Sequence, residues 1–210
     1  MNHMNYHNQP DQKFLNKIAF LDNRQRELLI PPETLIHQMP IQKNHTLLDV
    51  GAGSGYFTIP MAESTSGKVY AVDPDTRMLD IIKDKASAKK LTNIELLPDY
   101  IEDLSIPNIS VDFAMASLIL HEVPSLTTAL STIFDILKKG GHLLCLEYEK
   151  DDSIIEGPPM SIRIGSINLE KELLSMGFEI VRKTKINDSI YTILAVKTAA
   201  SPSRKQETIL

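Results

Sequence analysis

The sequence predicts an α/β fold: a doubly wound parallel sheet with helices on both faces, finished by an antiparallel hairpin. Three observations predict it. Short apolar runs alternate with amphipathic stretches from residue 46 to residue 146, the mark of repeated strand–helix units. Two further runs, Phe178–Lys185 and Ser189–Lys197, are separated only by Ile186-Asn187-Asp188. So short a polar connection can only reverse the chain, so this last pair must be antiparallel. A glycine-rich loop, Asp49-Val50-Gly51-Ala52-Gly53-Ser54-Gly55, sits where the first run gives way to a helix.

Taken in order, the polar residues 1–12 are expected to be unstructured or only conditionally ordered. From Lys13 to Ile30 the apolar residues Phe14, Leu15, Ile18, Phe20, Leu21, Leu28 and Leu29 suit one or two short amphipathic helices. Pro31-Pro32 interrupts them, Pro32 opens a short helix over Glu33–Gln38, and Pro40 ends it. Strands are predicted at Thr46–Val50, Lys68–Val72, Asn93–Leu97, Val111–Ala116 and His142–Leu146. Helices follow at Gly55–Ser64, Thr76–Lys89, Ser125–Leu137 and Ile167–Met176, the last stopped by Gly177. The organisation expected is an N-terminal tail and helical extension over residues 1–40, a candidate lid. The main domain follows over 41–198, with a flexible tail over 199–210.

Composition removes several classes of function. With 210 residues and 42% hydrophobic content there is enough for one sizeable core. The net charge of −5 disfavours nucleic acid as a partner, since neutralising many phosphates calls for a basic face. The single cysteine, Cys145, rules out an intramolecular disulfide, and its place in Leu143-Leu144-Cys145-Leu146 reads as a small buried hydrophobe. No apolar run reaches the roughly 18–20 residues that span a bilayer. The polar N-terminus is no signal peptide, so a cytoplasmic protein with no membrane partner is expected. A monomer or a homodimer would suit it.

Glycines at a strand end let the backbone turn sharply and approach a ligand. A dinucleotide fingerprint is G-x-G-x-x-G. Here Tyr56 holds the sixth position and the third glycine comes one residue early, at Gly55. Asp49, ahead of the loop, would repel a pyrophosphate and attract a cation, by about a kcal/mol or more at intermediate dielectric. S-adenosylmethionine carries an ammonium and a sulfonium and no phosphate, so the loop suits it better. No G-x-x-x-x-G-K-[ST] occurs, which excludes a P-loop. Asp73, ending the second strand, is placed to accept from ribose hydroxyls, a role shared by both cofactor classes. Asp73 or Asp75 could instead cap the following helix. After the third strand, Asp99 could accept from an adenine amino group and Tyr100 pack on its ring.

With these residues in place, the chain resembles the class I S-adenosylmethionine-dependent methyltransferases. The resemblance rests on LLDVGAGSGYF, VYAVDPD, LPDYIEDL, VDFAMASLILHEV and LKKGGHLLCLEY in that order, with the terminal hairpin, over roughly residues 44–197. It implies a Rossmann-like seven-stranded sheet of order 3-2-1-4-5-7-6 with strand 7 antiparallel. It implies that Asp49, Gly51, Ala52, Gly53 and Gly55 surround the methionine part of the cofactor. Asp73 would hold the ribose, with Pro74 beside the adenine and Asp99 and Tyr100 meeting it. Ser117 would lie near the transferable methyl with Leu118 and His121. Lys139 departs from the family, where a proline commonly precedes the Gly-Gly.

Methyl transfer is an in-line displacement, and positioning supplies most of the rate. A general base is needed only if the acceptor must shed a proton. His121 is the candidate base, although its segment Leu120-His121-Glu122-Val123 could equally order a loop before Pro124. No second histidine stands at H-E-x-x-H spacing, so no metal is expected. The acceptor, a small organic molecule in this reading, would meet Tyr56, Glu122, Tyr148 and Arg163. The N-terminal segment around Phe14, Phe20 and Arg24 would exclude water. Two rival readings stand beside it: an NAD(P)-dependent oxidoreductase and a non-catalytic nucleoside-binding scaffold.

Overall fold

In the computed structural model, the structure describes residues 11–104, 111–155 and 157–198. The expected tails over 1–10 and 199–210 lie outside them. Asp11 and Gln12, from the segment expected to be unstructured or only conditionally ordered, belong to the start of a helix: the Asp11 carboxylate accepts from the Lys13 N–H and caps α1 (Gln12–Leu21). Asn23 caps α2 (Arg24–Leu29) in the same way. Pro32 begins α3 (Pro32–His37), where its missing N–H leaves no bond unmade.

The sheet elements then alternate as the sequence predicts. They are β1 (Leu47–Val50), α4 (Thr58–Ser64), β2 (Val69–Val72), α5 (Thr76–Ala88) and β3 (Ile94–Leu97). A turn of 3₁₀ helix over Ile101–Asp103 leads to β4 (Val111–Ser117), α6 (Leu126–Ile136), β5 (Leu137–Tyr148) and α7 (Ser166–Met176). The chain closes with β6 (Phe178–Lys185) and β7 (Ile190–Lys197). The order is β3-β2-β1-β4-β5-β7-β6. β1 pairs parallel to β2 and β4, while β7 runs antiparallel to both β5 and β6. The expected Rossmann-like topology is therefore present, hairpin included.

Alternation along the strands explains why helices cover both faces. On β4, Phe113 and Met115 pack with Ile36 of α3 and Met61 of α4. Ala114 and Ala116 face the other way, toward Leu130 and Ile133 of α6 and Leu169 of α7. Asp49 shares its parity with Leu47, so its carboxylate emerges on the α4 side, against the start of that helix. Cys145 is buried mid-strand in β5, and burial pushes its thiol well up, as expected of an inert packing residue.

One boundary differs. β5 begins at Leu137, five residues before the expected start, because Leu137 pairs with Val111 while His142 pairs with Phe113. The intervening Lys138–Gly141 form a bulge in which Gly140 takes φ +79°. Lys139 stands on this exposed bulge, far from the carboxyl ends of the strands.

Candidate active site

Loops leaving the carboxyl ends of β1, β2, β4 and β5 converge on a cavity of about 1060 Å³. That position, outside the strand ends where the winding reverses, is where open α/β sheets bind ligands. α1 and α2 form its outer wall. A volume near the top of the usual range for small-molecule sites leaves room for two molecules side by side.

The glycine loop forms the inner end. Gly51, Gly53 and Gly55 all take positive φ. At Gly51 the need is absolute, since a Cβ would come within 2.3 Å of Ile119 Cγ1. Three of the loop's donors are spent within the fold: the Ala52 N–H bonds Val72 O, the Gly55 N–H bonds Ala52 O, and the Gly53 N–H bonds Asp73 Oδ2 at 2.8 Å. An anion cradle needs those N–H groups free, so this loop is a poor seat for a pyrophosphate. Asp73 also accepts from the Asp75 N–H at 2.9 Å, and a carboxylate with about four acceptor sites keeps capacity for two hydroxyls. The helix cap is Asp75, which accepts from the Arg77 N–H.

Asp49 differs from a simple exposed anion. It is 2% exposed, and Thr58 Oγ1 donates to its Oδ2 at 2.6 Å. Burial pushes its carboxyl up to about 7, against the Thr58 hydrogen bond and the positive charge of Arg26. A cation brought beside it would return it to the ionised form.

At the carboxyl end of β4, Ser117 Oγ is buried with no partner among the described residues, and Leu118 holds a left-handed φ of 55°. Such strain concentrates where function fixes the backbone. His121 Nδ1 lies 2.7 Å from Oε2 of Glu147, a fully buried carboxylate whose other oxygen accepts from the Leu120 N–H at 2.8 Å. Burial works against charging the His121 ring, but the bond to Glu147 and the charges of Glu147 and Glu122 outweigh it, so its pKa is raised. The Nδ1–H bond to Glu147 leaves Nε2 as the free lone pair, 3.9 Å from Glu122 Oε1. Tyr148 stands edge-on to His121, ring centroids 6.1 Å apart.

The outer wall is pinned to the loop it covers. Ser54 Oγ donates to Asp22 Oδ1 at 2.6 Å, and Lys85 of α5 pairs with Asp22 Oδ2 at 2.7 Å. Arg26 of α2 sits over the Tyr56 ring, its Cζ 4.2 Å from the centroid, and Tyr56 donates its hydroxyl to Ile30 O.

Ten residues singled out from the sequence line the cavity: Asp49, Gly51, Ala52, Gly53, Tyr56, Asp73, Ser117, His121, Glu122 and Tyr148. Gly55 is buried behind the loop, where a Cβ would meet Ile82 at 2.9 Å. Pro74, Asp99 and Tyr100 stand exposed outside the cavity wall. Arg163 is buried behind the wall, its Nε donating to Pro158 O at 2.8 Å, and so shapes the Gly157-Pro158 edge rather than reaching the cavity. Sequence reasoning named Arg24 where the structure brings in Arg26. It also missed Glu147, Thr58, Asp22 and the hairpin residues Asn187 and Ser189. The signal for Glu147 was a charged residue ending an otherwise apolar strand. These residues suit a cationic nucleoside: two acids at the inner end, an orphaned hydroxyl midway, and three of the loop donors already engaged. Among the described residues, no cluster of three or more His, Cys, Asp or Glu could hold a metal ion.

Comparisons with known proteins agree with this geometry. Residues 48–145 match the family model described as a methyltransferase domain. A demethylmenaquinone methyltransferase of Geobacillus sp. (strain WCH70) is 31% identical over 117 residues, 55% of this chain and 50% of that protein. The enzyme of that name from Geobacillus stearothermophilus is 33% identical over 115 residues, 54% of this chain and 49% of its own length. The chain thus spans about half the length of the curated relatives it matches. A SAM-dependent methyltransferase from Aquifex aeolicus superposes with a TM-score of 0.79 at 23% identity, over 90% of this chain and 100% of that one. The [4+2]-cyclase SpnF superposes at 0.76 with 18% identity, over 90% and 93%. These likenesses show the fold; that a cyclase shares it shows the fold does not fix the reaction. Over residues 48–145, a little under half of the chain, the sequence is thus similar to a methyltransferase domain.

Proposed function

We propose that this protein transfers the methyl group of S-adenosylmethionine to a small organic acceptor. The observation that carries the reading is one continuous cavity running from a phosphate-averse glycine loop, with Asp49 and Asp73, to the buried His121–Glu147 pair. The cofactor supplies a methyl already activated on a sulfonium, so the chain's own work is placement and proton handling. Asp73 takes the ribose hydroxyls, Asp49 the ammonium, and Ser117 lies between the two ends. His121 Nε2 takes the acceptor's proton, with Nδ1–H held by Glu147 so that the lone pair faces the cavity.

The acceptor side is walled by Tyr56, Tyr148, Leu118 and Ile190 and by Phe20, Leu28 and Leu29 of the N-terminal helices. This suits a flat, largely apolar molecule, in keeping with the quinone named for the relatives. α1 and α2 act as a lid over it, tied down through Asp22. The protein works as a cytoplasmic monomer or homodimer with no nucleic-acid partner; no described helix is long and apolar enough to cross a membrane. Calorimetric titration with S-adenosylhomocysteine and with NADH tests the cofactor class. Binding of the first alone is expected, and binding of NADH alone would overturn the proposal.

A further inference from the structure

The N-terminal helices set basic and large apolar residues on the same outward lines. On α1, Phe14, Ile18 and Leu21 recur at i, i+4 and i+7 and are half-buried. Phe14 meets Arg77 of α5, and Leu21 meets Gly53 of the glycine loop. A second line with the same spacing, Lys13, Lys17 and Phe20, is exposed, Phe20 by 59%. On α2, Arg24 and Leu28 stand four residues apart and both are exposed, Leu28 by 75%. Lys13, Lys17 and Arg24 form no ion pair among the described residues. The two helices hold the basic residues Lys13, Lys17, Arg24 and Arg26 against a single acid, Glu27, in a chain whose net charge is −5. Asp22, between the helices, is already matched by Lys85. Phe20 and Leu28 also border the cavity, so the two lines meet at its mouth.

A large apolar side chain exposed beside unpaired cations is ill matched to water and well matched to a bilayer surface. There the apolar group enters the acyl boundary while the cations meet anionic headgroups. A second copy of this chain fits the same face poorly, because a two-fold contact would set cations against cations. We propose that the outward face of α1 and α2 docks on an anionic lipid bilayer and opens the cavity mouth to an apolar acceptor dissolved there. Phe20 and Leu28 enter the bilayer, and Lys13, Lys17 and Arg24 hold the headgroups. The expectation of no membrane partner rested on the absence of a spanning segment, and docking of this kind needs none. The entry route rests on the proposed reading of the cavity as a methyltransferase site with an apolar acceptor end; the docking surface rests on the two helices alone.

The test is co-sedimentation of the full chain with two kinds of vesicle, mixed phosphatidylglycerol–phosphatidylcholine and pure phosphatidylcholine, at low and high salt. Binding to the mixed vesicles is expected, and at least about tenfold weaker binding to the pure ones and in high salt, since each cation near an anionic surface contributes about fivefold. Lys13→Gln and Lys17→Gln should each weaken binding about fivefold. Phe20→Ser combined with Leu28→Ser should weaken it about tenfold or more, the scale of burying one large apolar side chain. Lys139→Gln, at an exposed lysine on the β5 bulge, should change nothing. The charge and the apolar variants are separate, so the test stays decisive if one of them fails to fold. Equal binding to both kinds of vesicle, or a loss in Lys139→Gln as large as in Lys17→Gln, would overturn the inference. A wild type that binds S-adenosylhomocysteine but neither vesicle would overturn it too and leave the functional reading intact. A dimer in sedimentation velocity that Phe20→Ser with Leu28→Ser dissociates would give the face to a second copy, with the same consequence. Vesicle binding by a protein that does not bind S-adenosylhomocysteine would remove the functional reading and the entry route with it.

Discussion

Replacing Asp49 by Asn should stabilise the ligand-free protein at pH 8 far more than at pH 5. Burial raises this carboxyl from 3.8 to about 7 in the folded chain. Folding therefore favours the protonated acid. Its contribution to stability is complete below the unfolded value near 4 and is lost as pH rises through about 7. At about 1.36 kcal/mol per unit, the full ionisation cost is roughly 4 kcal/mol, an upper figure, and the part that develops between pH 5 and pH 8 is about 2–3 kcal/mol. Asn matches the shape, never ionises, and can still meet the Thr58 hydroxyl, whose proton rotates to suit. Urea denaturation of both proteins at pH 5, 6, 7 and 8 measures the difference. The wild type should lose about 2–3 kcal/mol relative to the variant across that range. Parallel pH profiles would refute the claim that Asp49 is held near neutrality by burial. The same coupling gives a second readout. S-adenosylhomocysteine should bind the wild type more tightly as pH rises through about 7, and the variant should lose that dependence.

The His121–Glu147 pair predicts an imidazole pKa above 6.5 by NMR titration, falling in Glu147→Gln, because the carboxylate outweighs burial. Its stabilising effect is present below about 6.5 and fades as pH rises past the raised value, the opposite slope to a depressed carboxylate. Glu147→Ala should cost about 2–3 kcal/mol by urea denaturation, since it orphans the Leu120 N–H as well as the ring. Gly51→Ala should unfold at lower urea or lose cofactor-product binding, because a Cβ there lands 2.3 Å from Ile119 Cγ1 at a positive φ. Asp22→Ala should leave global stability within about 1 kcal/mol. It should speed amide exchange across residues 12–29, since it unties the lid from Ser54 and Lys85. Unchanged exchange there would show that the latch does not hold the helices down.

The sheet was legible because each strand carries its own signal. Leu47–Val50 and Val69–Val72 are apolar runs ended by an acid or a glycine, and the tripeptide at 186–188 permits one connection only. The start of β5 was not legible: Leu137 looks like the end of an apolar helix, and only its pairing with Val111 makes it a strand. The glycine loop and Asp73 could be read locally, since a tight turn and a strand-end acid are short-range features. Asp49 was read as a charge but not as a buried one, because burial depends on α4 and α2 closing over it. Glu147 and Arg26 were missed for the same reason. Each gains its meaning from a partner far away in sequence, His121 for one and Tyr56 for the other. Asp99 and Tyr100 were read from a local sequence match alone, and the fold leaves both exposed.

The most direct measurement is a calorimetric titration of S-adenosylhomocysteine into the wild type and Asp73→Ala at pH 8. Asp73 is the acid whose place at the end of β2, bonded to the glycine loop, leaves acceptor capacity for two hydroxyls. One-site binding to the wild type, weakened by about 1–3 kcal/mol in the variant, is the predicted result. Equal affinity in both proteins, or no binding to either, would contradict the assignment of this cavity to the methyl donor.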